Sequence, residues 1–158
     1  MSSVVRDLWP KDIQSDDVLT PEEILTEQAI QLEKRTNGLV NGCVEKLESP
    51  DRVVLNFEIF SPRVDSRYRL FQVQHRQEFG YPALIVPPEK APDYLRERIY
   101  QPGPTNVATM FDGIWVENDW VSSSPMLFIE KIQRLLSTVE VKSAVFSLLS
   151  RANQAKAG

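Results

Sequence analysis

The sequence holds one cysteine, Cys43, and one histidine, His75, and these two scarcities exclude more than any motif in it asserts. A lone cysteine forms no disulfide within the chain, so the expected compartment is the reducing cytoplasm. One cysteine and one histidine also cannot build a Cys/His zinc site, and no metal or other cofactor is expected. Glycine is sparse, with six residues scattered through 158. There is no Gly-rich phosphate loop, no dinucleotide fingerprint, no nucleophile elbow and no His-Glu-x-x-His pair. No run approaches the roughly 18 apolar residues of a membrane span. Residues 1–10 lack the apolar stretch of a secretory signal. A basic excess is missing as well: 18 Lys and Arg stand against 22 Asp and Glu, a net charge of −4. Phosphate backbones and anionic lipid surfaces are gripped largely through Lys and Arg. Neither nucleic acid nor membrane is therefore an expected partner.

What is present is a block of strand-like segments, residues 38–88, with helix-like segments on both sides. A chain of 158 residues fits one domain and buries about 70% of its unfolded surface. Residues 1–19 read as an N-terminal arm, in which Val4, Val5, Leu8 and Trp9 are candidates to pin it to the body. Thr20, Pro21 and Glu23 then form a strong helix start: an N-cap, a proline at the first position and a capping-box partner. Leu25, Ala29 and Leu32 share one helical face, with Ile24 and Gln28 beside them. Asn37 with Gly38 makes a stop signal.

Four strands are predicted, over 39–47, 53–60, 67–75 and 81–86. The second is the clearest, because Val53, Leu55, Phe57 and Ile59 alternate with polar positions. The connectors are short, so neighbouring strands run antiparallel. A charged helix is predicted over 92–100, and a hairpin turning at Asp112 and Gly113. Ser124 and Pro125 open a helix with Phe128, Ile132, Leu135 and Leu136 on its apolar face. A further helix begins near Ser137, with Glu140 as capping partner, and buries Val141, Val145, Leu148 and Leu149. Residues 151–158 read as a frayed tail. The expected fold is α+β, a single domain over residues 20–150. An antiparallel meander of about four strands carries an N-terminal helix and two C-terminal helices on one face. The other face is left for water, a ligand or a second copy.

Chemistry has four candidate locations. Strict alternation along the third strand places Arg67, Arg69, Phe71, Val73 and His75 on one face. Two arginines and a histidine are groups that hold an anion, although Glu58 on the adjacent strand is an obvious partner for an arginine. Cys43 with His75 is a conceivable thiolate–imidazole pair, against the ordinary role of a mid-strand cysteine as a small hydrophobe. Asp112, Glu117 and Asp119 offer oxygen ligands without the spacing of a calcium loop. Phe111, Trp115 and Trp120 are either a partner surface or core plugs.

Two function classes follow. The preferred one is a non-enzymatic interaction or binding protein (accessory, inhibitor or chaperone-like) whose partner is another protein or a second copy. The alternative is a small hydrolase or anion-binding enzyme with its site at the Arg67, Arg69 and His75 strand face.

Overall fold

The computed structural model describes residues 5–10, 18–86 and 120–157. Helix α1 (Pro21–Arg35) leads into strands β1 (Asn41–Ser49), β2 (Arg52–Ser61), β3 (Val64–His75) and β4 (Ala83–Val86). Strand β5 (Val121–Ser122) and helices α2 (Pro125–Leu136) and α3 (Val139–Ala157) complete the described chain. The sheet is an antiparallel meander in the order β1-β2-β3-β4-β5. This is the expected α+β arrangement, extended by a fifth strand. The helix predicted over 92–100, the hairpin at Asp112 and Gly113, and the acids Glu117 and Asp119 lie outside the described residues.

Local chemistry sets the helix ends. The Thr20 hydroxyl oxygen accepts from the Glu23 amide at 3.2 Å, and the hydroxyl donates to the Glu23 carboxylate at 3.0 Å. Thr20 thus caps the helix start, with the Glu23 carboxylate taking the Thr20 hydroxyl rather than the backbone amide of a full capping box. At the other end Asn37 and Gly38 both take positive φ, 51° and 79°, and the Gly38 amide donates to the Glu33 carbonyl at 2.9 Å. The Thr36 hydroxyl donates to the Val40 carbonyl and accepts from the Val40 amide. This clamp turns the chain from α1 straight into β1.

Ser124 caps α2 by accepting from the Leu127 amide at 3.3 Å. For α3 the cap expected at Ser137 falls to Thr138, whose hydroxyl accepts from the Val141 amide at 3.4 Å. The helix also runs on through the stretch expected to fray, as far as Ala157. Leu148 and Ala152, one turn apart, are fully buried, and Arg151 donates to the Tyr68 hydroxyl at 3.1 Å. Burial of that turn outweighs the polar composition that follows it. No described helix is long and apolar enough to cross a membrane.

All three helices lie on one face of the sheet. The core there is Leu25 and Ala29 from α1, Leu55, Phe57 and Ile59 from β2, Phe71 and Val73 from β3, with Phe128, Ile132 and Leu148 from the C-terminal helices. Phe57 and Phe71 stand directly opposite one another and stack, with ring centroids 5.2 Å apart and planes 8° from parallel. On the second face the polar side chains bond each other. Gln72 donates to Asn56 at 2.9 Å, and Gln74 donates to Gln72 at 2.8 Å. That face is not left open at its centre: Asn56, Glu58 and Gln74 are each less than a tenth exposed.

The two layers approach closely at Gly42. A Cβ there would lie 2.7 Å from the Ala29 Cα, so α1 sits on β1 only because the position has no side chain. Gly42→Ala is expected to destabilise the protein by about 1–3 kcal/mol through overpacking. Urea titration of the variant checks this, and an unchanged midpoint would contradict the close approach.

Candidate functional site

The pairing of β2 with β3 changes register in its middle. Phe57 faces Phe71, but the next residue, Glu58, faces Arg69, so Leu70 has no opposite number. One extra residue on one strand is a β-bulge, and it exchanges the two faces for the residues upstream of it. Leu70 and Phe71, consecutive in sequence, are both buried. Upstream of the bulge Tyr68 reaches α3 on the helix face, while Arg67 pairs with Glu58 on the second face at 3.1 Å.

This corrects the strand face read from alternation. Arg67 and Arg69 lie together on the second face, next to Glu58. His75 lies downstream on the helix face with Phe71 and Val73, opposite Val53. The three residues therefore do not converge. Arg67 is committed twice, to the Glu58 carboxylate and to the Phe60 ring, whose centroid is 5.0 Å from its guanidinium carbon. Glu58 is the partner that cross-strand geometry suggests.

His75 braces a turn. Its Nδ1 lies 2.7 Å from the Arg76 carbonyl and 3.1 Å from the Phe79 carbonyl. Two carbonyls accept and cannot donate, so Nδ1 carries the hydrogen. Cys43 faces Glu58 on the second face, away from His75 by about 17 Å of strand, so no thiolate–imidazole pair forms. Trp120 is 2% exposed, which makes it a core plug rather than a partner surface; Phe111 and Trp115 lie outside the described residues. Among the described residues no group of three His, Cys, Asp or Glu is placed to hold a metal ion.

A concavity lies elsewhere, in the helix layer. Three cavities of about 520, 440 and 420 Å³ line up beside α1. Gln28 borders all three; Ile24 and Ile129 join the first to the third, and Arg35 and Leu136 join the third to the second. Together they form one groove between α1 on one side and α2 with the start of α3 on the other. Its most apolar stretch is lined by Leu32, Phe57, Leu70, Leu136, Val141 and Val145, with Gln28, Gln31 and Arg35 beside them. Glu22, Glu23 and Glu27 stand at the Leu19 end, and Arg35 at the far end. From Glu22 to Arg35 the groove follows α1 for about 20 Å.

The groove exists because α1 is held over β1 by the Gly42 contact, whereas α3 covers β2 and β3 through Leu148 and its neighbours. The two helices are thereby set apart, and the bulge residue Leu70 fills part of the floor between them. Helical periodicity marks Leu32, Leu136, Val141 and Val145 as core positions. It does not mark the groove, since spacing between helices leaves no periodic signal. Gln28, beside the apolar stripe of α1, is the polar residue that betrays an incompletely covered face.

The Leu19 end is fixed by Tyr81, whose hydroxyl donates to the Leu19 carbonyl at 2.7 Å. Burial, reinforced by the nearby Glu23 carboxylate, raises the Tyr81 phenol well above its ordinary value. On the outer side of α1, Lys46 bridges Glu22 and Glu48 at 3.1 Å each. The hydrogen bond to Glu22, followed by that to Glu48, raises its ammonium pKa.

Compared with protein-family models, with curated proteins and with solved structures, the chain has no significant match in any of the three.

Because the folded-state pKa of Tyr81 is raised, its contribution to stability is fully present below the unfolded value of about 10 and is lost as pH rises past it. Tyr81→Phe should cost about 1 kcal/mol at neutral pH, the worth of one hydrogen bond. The gap between wild type and variant should narrow above about pH 10. Urea unfolding of both proteins across that range checks the sign; a gap that widens with pH would contradict it.

Proposed function

We propose that this is a non-enzymatic binding protein that receives an apolar-anchored segment of a protein partner in the groove between α1 and the α2–α3 pair. The observation that carries this reading is the groove itself, with core side chains Phe57 and Leu70 forming its floor and a rim of Gln28, Gln31 and Arg35. A concave apolar floor with a few polar groups at its edge is the ordinary form of a recognition site. Its length suits an amphipathic helix of a few turns or a short extended peptide, the two shapes that grooves of this kind accept.

The lining favours binding over catalysis. Among the described residues, the cavity over Phe57 and Leu70 presents two glutamines and one arginine and no acid, histidine, cysteine or hydroxyl; the acids Glu22, Glu23 and Glu27 border only the cavity at the Leu19 end, with no histidine or cysteine beside them. General acid–base or nucleophilic chemistry needs such groups within hydrogen-bond reach of each other. The alternative enzyme reading loses its main support with the separation of His75 from Arg67 and Arg69.

Selection of a displayed library of random peptides, about a dozen residues long to match the groove, on the immobilised protein tests the reading. Selected peptides should carry two or more large apolar anchors. They should bind Gln28→Trp, in which an indole occupies the groove, at least about tenfold more weakly, a difference of about 1.4 kcal/mol. The melting temperature of that variant should stay close to wild type, since Gln28 is only half-buried. Peptides that bind wild type and Gln28→Trp equally would place recognition elsewhere.

A further inference from the structure

Leu8 and Trp9 do not pin the N-terminal arm to the body. They are 78% and 75% exposed, matched among the large apolar side chains of the described residues only by Met126. The Trp9 amide donates to the Asp7 carboxylate at 3.0 Å, which holds a bend at the arm's own apolar tip. An exposed tryptophan beside an exposed leucine is costly to leave in water, and tryptophan is enriched among interface anchors. Among the described residues the chain therefore carries an uncovered apolar pair and an open groove with apolar lining.

The geometry points to the arm of a second copy as the groove's occupant, with Leu8 and Trp9 as its anchors. This rests on the groove being a binding site, the reading proposed above. Three observations fit the arm to the groove, and the exposure of Leu8 and Trp9 in the single chain assigns it to a second copy. The first is size: the segment from Val5 to Trp9 spans at most about 17 Å, within the roughly 20 Å of groove beside α1. The second is charge. Arg6 is exposed and adjoins the anchors in sequence, and the groove mouth carries Glu23 and Glu27, with Glu22 bridged to Lys46 beside them. An arm lying with Trp9 over the apolar floor brings Arg6 toward those carboxylates in a protein that is acidic overall. The third is attachment. The arm joins the body at Leu19, a residue of the mouth, ten positions after Trp9. In the single chain Leu8 and Trp9 stand in water rather than in the groove. Two copies related by a two-fold axis exchange both arms at once, so one association closes two identical contacts.

Sedimentation of the full chain from about 1 µM to about 1 mM, a range that covers weak to moderate association, tests the exchange. The comparison includes Leu8→Ser/Trp9→Ser and Gln28→Trp. Wild type should shift from monomer to dimer, and each variant alone should need at least about tenfold more protein to do so. Mixing the two variants should restore half of the contacts, because one supplies an intact groove and the other an intact arm. No purely structural effect of either substitution gives that complementation. Trp9 emission, taken as the difference between wild type and Trp9→Phe, should move to the blue as concentration rises.

Three results would overturn the exchange: a wild type that stays monomeric throughout, an arm variant that dimerises like wild type, or Trp9 emission that is blue at every concentration. The last would mean that the arm folds onto its own groove. The groove reading survives all three if library peptides still discriminate against Gln28→Trp, and it falls only if they do not.

Discussion

Leu70 has no residue of β2 opposite it, and the side of the sheet taken by each nearby upstream side chain of β3 depends on that one unpaired position. Without it, Arg67 and Arg69 would be carried onto the helix face beneath α3, and Tyr68 would be carried off that face. With it, the arginines stand beside Glu58, and Leu70 and Phe71 can both enter the core. The stacked pair Phe57 and Phe71 sits immediately next to the irregularity, so the register is anchored at the point where it shifts. A bulge also adds twist to its strand, and here it lies under the helices.

The helix layer is shaped by a second constraint, the absence of a side chain at Gly42. The close approach of Ala29 to that position sets α1 over β1, at one side of the sheet. The α2–α3 pair is held to the other strands by Phe128, Ile132 and Leu148. Neither constraint alone makes a groove. Together they set α1 and α3 apart, and a groove runs between them above the buried side chains of Phe57 and Leu70. A groove formed in this way has fixed walls, because both helices are held by packing rather than by loops. Binding to fixed walls costs less ordering entropy than binding to a surface that must first assemble.

Much of the architecture is legible in the residues. The cap at Thr20, the stop at Asn37 and Gly38, the cap at Ser124 and the alternation of β2 are local signals, decided by hydrogen bonds and side-chain periods within a few positions. The structure carries each of them, with strand ends displaced by at most three residues. The candidate site is less legible. Alternation along β3 is a sound rule for a regular strand, and it fails at one residue because nothing in the composition of Arg69, Leu70 and Phe71 announces a bulge. Two consecutive apolar residues in an otherwise alternating strand are its only trace. His75 draws attention as the lone imidazole, but its ring is occupied by two backbone carbonyls of the turn that follows it.

By itself, then, the sequence determined the elements, their antiparallel order and the absence of several known catalytic kits, since each of those depends on neighbours in the chain. Only the tertiary structure decided which side of β3 carries charge and where the concavity lies. Both depend on distances between segments far apart in sequence: the packing of α1 on a glycine of β1, and the pairing of β3 with a strand one residue out of step. A periodicity records what a residue's neighbours are, whereas a groove records which helices fail to meet.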